Sequence, residues 1–212
     1  MFNLITTYYE SNNDERQTEL NECLIHNLNN NFIKKIYLLN DKIYDFIFLN
    51  NENISKIIQV EVDEDNKKRL GYDFSIKFIN ENIPNEKCIL SNSDIFFDTT
   101  LDHLETYDLN NKVLALSRYN EGVLYDRHDS QDSWIFISPL NIDLNLCNFK
   151  FGTRGCDNSI AYTIKESGYD ILNPSKTIIT HHVHKTEFRT YPSNVVPGPY
   201  HMVKIGELIK DT

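Results

Sequence analysis

Two stretches of this 212-residue sequence gather side chains suited to holding a cation or a diphosphate. Asn92-Ser93-Asp94 follows the apolar run from Lys87 to Leu90 and precedes Ile95-Phe96-Phe97. A carboxylate at the end of a buried strand can hold a divalent cation through carboxylate and water oxygens, with the cation bridging a diphosphate. The same three residue types are ordinary turn formers, so Asp94 as a turn cap is the plainer alternative. His181-His182-Val183-His184 closes the β-branched run Thr177-Ile178-Ile179-Thr180. Strand alternation sets His182 and His184 on one face and His181 on the other. Two imidazoles on one face can ligate a metal or donate to phosphate oxygens, or they are simply half-buried polar residues.

Two carboxylates offer proton chemistry. Asp157 falls at the start of a helix opened by Gly155-Cys156-Asp157-Asn158, where it serves either as an N-cap or as a rigidly held base for a hydroxyl nucleophile. Asp132 lies in Asp129–Trp134, beside the only tryptophan. An aromatic face next to hydrogen-bonding groups suits a sugar ring, although a sole tryptophan also fits a core position. Arg69, Tyr72 and Asp73 complete the set. Arginine pairs with phosphate, and Asp or Tyr can hydrogen-bond a base; a solvated helix face explains Lys67-Lys68-Arg69 equally well.

The elements that must position these groups alternate. Phe2–Tyr8, Ile33–Leu39, Lys56–Val62 and Lys87–Leu90 read as strands; helices run through Leu20, Leu24 and Leu28 and over Asn66–Asn80. This order implies a parallel sheet with right-handed crossovers, in which ligands bind at the carboxyl ends of the strands. Thr6–Glu10, Asn40–Asp41 and Asn92–Asp94 are therefore expected together at one edge. Beyond them, Val113–Ser117 and Ser133–Ser138 read as strands joined by the polar segment Arg118–Asp132. A helix follows over Gly155–Gly168, then a last strand over Thr177–Val183 and a Pro/Gly-rich turn with a short amphipathic segment. The expected fold is one α/β domain over residues 1–212 with a mixed, mostly parallel sheet flanked by helices.

Composition narrows the partners. The 21 Lys and Arg against 31 Asp and Glu leave a formal net charge of −10, which argues against nucleic acid or an anionic membrane held over a broad face. No apolar run approaches the roughly 20 residues a membrane span needs, and Met1–Tyr9 has no signal-peptide pattern. Cys23, Cys88, Cys147 and Cys156 form no CxxC pair, which fits buried thiols in a reducing, cytoplasmic compartment.

Taken in order, six segments resemble GT-A type (Rossmann-like) glycosyltransferases, particularly the compact domains of large DNA viruses and some bacteria. They are Leu4–Glu10, Arg69–Ser75, Ser91–Leu101, Asp129–Phe136, Gly155–Tyr169 and Asn173–His184. The resemblance implies a nucleotide-sugar donor, usually a UDP-sugar, on residues 1–97 and a glycan or other hydroxyl acceptor over 98–212. It implies donor contacts from Thr6, Tyr8, Arg69, Asp73, Asn92, Ser93, Asp94 and Trp134. It implies Mn²⁺ or Mg²⁺ on Asp94 with His182 or His184. Asp157, with Asp132 as the second catalytic carboxylate, would deprotonate the acceptor in an inverting transfer. In a viral protein the setting would be the host cytoplasm, and the chain could be one domain of a longer enzyme. One departure stands out, because Asn92 occupies the place of the first Asp of the family's DxD motif. A binding module without catalysis and a sugar nucleotidyltransferase are the competing readings. The second lacks its usual Gly-rich, basic loop at Thr7–Asn12.

Overall fold

A computed structural model describes residues 1–46, 49, 52–184 and 194–209. Seven strands form the central sheet in the order β10-β6-β9-β4-β1-β2-β3. In chain order they are β1 (Phe2–Thr6), β2 (Ile33–Asn40), β3 (Ile57–Glu61), β4 (Lys87–Ser91), β6 (Lys112–Leu116), β9 (Ser133–Ile137) and β10 (Asp170–Leu172). Only β9 runs antiparallel to its neighbours β4 and β6. A second sheet, β5-β11-β7-β8, joins β5 (Ile95–Phe97), β7 (Tyr119–Asn120), β8 (Val123–Leu124) and β11 (Thr180–His182).

Both faces of the large sheet are covered, which is why β1 is buried at all five positions rather than alternating with water. Period-two alternation divides the core. Leu4, Leu38 and Ile89 face helix α1 (Asp14–Asn29). Ile5, Leu39 and Leu90 face α3 (Tyr72–Asn82) and α4 (Cys156–Glu166) on the other side. Asn13 caps α1 by accepting the Arg16 amide, and the helix buries Arg16, Glu19, Leu20, Cys23, Leu24, Asn27 and Leu28 along one stripe. Two charged residues therefore sit on the inward face.

Three elements depart from the sequence expectation. The single helix expected over Asn66–Asn80 is two, α2 (Glu64–Lys67) and α3, because Gly71 adopts an extended conformation at the α3 N-cap. The Gly71 amide donates to Asn66 Oδ1 at 2.8 Å, which closes the break and leaves Arg69 on a connecting loop. The last strand is shorter than expected, since the Thr177 and Ile178 amides turn back to the Pro174 carbonyl. The segment Arg118–Asp132 is not simply a loop but carries the β7–β8 hairpin. The closing residues 194–209 make isolated bridges from Val195 to Arg154 and from Ile205 to Asn173. Residues 210–212 of the expected amphipathic segment lie outside the described residues. Among the described residues no helix is long and apolar enough to cross a membrane.

Candidate active site

A cavity of about 430 Å³ opens at the carboxyl ends of β1, β2 and β4, where Thr7, Leu39 and Asn92–Asp94 meet. That is the expected edge for a ligand in such a sheet. Arg16, Lys67, Lys68, Arg69 and Arg118 line it against Glu10, Asp41, Asp94 and Asp132. On a chain of net charge −10, a cleft with more cations than carboxylates is a local reversal that attracts anions.

At one end lie Asp94, His182 and His184, whose ligand atoms all fall within 4.8 Å of one another. Strand pairing assembles them: β11 runs antiparallel to β5 with His182 opposite Ile95, and the Val183 amide donates to the Asp94 carbonyl at 3.0 Å. His181, on the other face, pairs with Asp98 at 2.9 Å. His182 Nδ1 stands 2.9 Å from Asn120 Oδ1, and its Nε2 stands 3.5 Å from Asp94 Oδ2. Guanidinium only donates, so Arg16 Nη1 at 3.2 Å makes His184 Nδ1 an acceptor and puts the His184 proton on Nε2, which is buried without a partner. Burial works against the Asp94 charge, but His182 and Arg16 outweigh it and hold the carboxyl well below the usual range. Burial, with Arg16 and His182 alongside, lowers His184, so its imidazole stays neutral. One carboxylate and two imidazole lone pairs facing a common point are compatible with a divalent metal ion.

Asp157 does not itself line the cavity; it sits in the first turn of α4, next to the lining residue Asp132. The helix cap is Gly155, at φ +85°, and it makes no side-chain cap bond. Asp157 is thus no ordinary N-cap. Its Oδ1 receives the Cys156 thiol at 3.2 Å and the Tyr72 hydroxyl at 3.5 Å. Burial, then the charge of neighbouring Asp132, pushes its pKa up to about 7 against the opposing bonds from Cys156 and the Gln131 backbone amide. Asp132 itself lines the cleft and is held by Arg118 at 2.8 Å and by the Asn92 amide group at 2.9 Å. Asn92, the departure from the two-Asp pattern, therefore serves as a donor to Asp132. Two carboxylates close together, one paired and one not, are a familiar way to separate their acidities.

The structure redistributes the other expected residues. Arg69, Asn92, Ser93 and Asp94 line the cleft. Arg69 Nη1 donates to the Phe151 carbonyl at 2.9 Å, and it lies 2.6 Å from where a Cβ on Gly152 would stand. Thr6 and Tyr8 point the wrong way, and their odd-numbered neighbours Thr7 and Tyr9 line the cleft instead. Tyr8 packs edge-on against Tyr44 and Phe46 and bonds Asn21 and Gln17 through its hydroxyl; Thr6 is buried beside it. Trp134 is 2% exposed, paired between Leu90 and Ala115 in the sheet, and offers no face to a sugar. Asp73 is turned under Gly71 rather than into the cleft. Sequence reasoning missed Arg16 and Arg118. Arg16 left a signal, a charged residue on the apolar stripe of α1; Arg118 left another, since it stands just past the carboxyl end of β6, which runs parallel to β4.

No family model matches the chain, and no curated protein matches it. Among solved structures, TarS of S. aureus superposes with a TM-score of 0.51 at 14% identity, over 86% of this chain and 36% of that one. The apo glycosyltransferase GlyE of Streptococcus pneumoniae gives 0.49 at 17%, over 82% and 45%. The inositol-1-phosphate CTP transferase of T. maritima gives 0.47 at 11%, over 86% and 88%. The chain thus spans less than half the length of two of these three structures. At such identities the likeness shows a GT-A-like α/β fold and nothing finer.

Proposed function

We propose that the protein is a glycosyltransferase that moves a sugar from a nucleotide diphosphate donor, taken here as a UDP-sugar, to a hydroxyl of a glycan or similar acceptor. One observation carries the reading: a single cleft, richer in cations than its chain, holds a metal-compatible group, and its lining residue Asp132 neighbours the Asp157 carboxyl, which is raised to about 7. The diphosphate lies toward Asn92–Asp94 with Arg69 and Lys68 at hand, and the acceptor enters over residues 98–212. Asp94, His182 and His184 would hold the metal, which supplies positive charge to the departing diphosphate. Two imidazoles favour Mn²⁺ over Mg²⁺, which prefers oxygen ligands throughout.

Asp157, ionised, takes the acceptor's proton. The freed oxygen attacks the anomeric carbon from the face opposite the leaving group, the bond from that carbon to the diphosphate oxygen breaks, and configuration inverts. The charge of Asp132, itself paired with Arg118, keeps the Asp157 carboxyl a weak acid and so keeps its carboxylate useful as a base at neutral pH. Isothermal titration with UDP and GDP, with and without Mn²⁺, followed by a hydrolysis screen of nucleotide-sugars, tests this. Metal-enhanced UDP binding with UDP release from one donor is the expected result. Binding without turnover of any donor would make the chain a binding module instead, and no binding of either nucleotide would overturn the reading.

A further inference from the structure

Arg16 is the least expected member of the cleft. It stands in the first turns of α1, 8% exposed, and each of its nitrogens has a partner. Nε donates to the Tyr9 hydroxyl at 3.1 Å; Nη1 donates to Glu19 Oε2 at 2.9 Å and to His184 Nδ1 at 3.2 Å; Nη2 donates to Asp94 Oδ2 at 2.8 Å. Two of these partners, Asp94 and His184, belong to the group compatible with a metal. A lone pair given to a guanidinium proton is not free for a cation, and two positive charges against one carboxylate repel. The chain has therefore built a cation of its own across the ligands.

We propose that Arg16 and the divalent metal compete for Asp94 and His184, so that metal entry turns Arg16 toward the donor's diphosphate; this rests on the nucleotide-sugar reading above. Glu19 makes the exchange feasible. Its side chain is 3% exposed and keeps its ion pair with Nη1 when Asp94 lets go, so the buried guanidinium is never left without a counter-charge. Released from Asp94, Nη2 already borders the cavity, where a bidentate guanidinium matches phosphate oxygens. Because whatever draws Arg16 away frees metal ligands, diphosphate and metal must each tighten the other's binding.

The test measures Mn²⁺ affinity of the full chain, with and without UDP, in the wild type, Arg16→Gln and Arg16→Lys. With the competitor removed, R16Q should bind Mn²⁺ about tenfold tighter without nucleotide, within the usual range of coupling between sites. The tightening that UDP gives the wild type should largely disappear in R16Q, and R16K should fall between. Mn²⁺ affinity in R16Q within twofold of wild type, or weaker, overturns the proposal. If R16Q does not fold by near-UV circular dichroism, ¹⁵N spectra of the wild-type arginine side chains during Zn²⁺ saturation decide. Arg16 signals that change on saturation support the exchange, and unaltered ones refute it. Retained UDP binding with Mn²⁺ affinity indifferent to Arg16 defeats this inference alone. Loss of both UDP and metal binding in the wild type defeats the glycosyltransferase reading with it.

Discussion

Replacing Asp157 with Asn should lower activity and raise stability at once. The two effects share a cause, because burial and Asp132 make the charged form costly, lifting the pKa from 3.8 to about 7. A carboxyl raised in the folded state binds a proton there that the unfolded chain gives up, so native stability falls as pH climbs from about 4 to 7. At about 1.4 kcal/mol per pH unit, the charged carboxylate costs the fold on the order of 4 kcal/mol at pH 8, as an upper bound. Asn removes that cost, so Asp157→Asn should melt higher than the wild type at pH 8, with the advantage vanishing below about pH 4. Transfer should meanwhile fall by roughly 10² to 10⁴, the range for a general base. In the wild type, kcat/KM should rise about tenfold from pH 6 to pH 8 and level off, since only the ionised base works. Asp132→Asn removes the second-largest raising cause and should move that inflection to lower pH. The assay is UDP release from the donor found by screening, read beside thermal melts across the same pH range. Wild-type turnover in Asp157→Asn, or a flat profile from pH 6 to 8 that Asp132→Asn leaves unmoved, would refute the assignment.

Three further outcomes are expected. Asp94→Asn should abolish Mn²⁺ binding by titration and destabilise the chain by roughly 3 kcal/mol in denaturant melts, because it leaves buried Arg16 short of a counter-charge. The Asp94 pKa is depressed, so the stability it lends is present above its unfolded value near 4 and is lost as pH falls through the lower native value. Gly152→Ala should weaken UDP binding, since φ +68° strains alanine and its Cβ would displace Arg69. Thr6→Val should leave the donor KM unchanged and stabilise slightly, by about 1 kcal/mol or less, because the Thr6 hydroxyl is buried with no partner.

The alternation of elements and the edge at which loops gather were legible in the sequence because both rest on local periodicity. The pairing of His182 with His184 opposite His181 was legible for the same reason. What failed was parity. Thr6 and Tyr8 were expected in the cleft where Thr7 and Tyr9 stand, and in a strand buried on both faces nothing in the residue types says which face is which. Trp134 misled for the same reason, since β9 is covered on both sides. The break at Gly71 turned on a backbone choice at a single residue, made by the Asn66 side chain. Arg118 stands at the carboxyl end of β6, and the place of that strand beside β9 is a long-range pairing that spacing does not record.

The antiparallel strand β9 has a bearing on how the chain comes into being. It is wedged between β4 and β6, yet it is written last of the three. Until residue 137 has left the ribosome, β4 shows an open edge whose Cys88, Ile89 and Leu90 are among the most apolar of the molecule. For the time it takes to make some forty residues, on the order of seconds, the nascent sheet is a template for any neighbouring strand. Residues 1–97 and 98–212 are therefore joined by more than the chain that runs between them: the second half supplies the strand that closes the first.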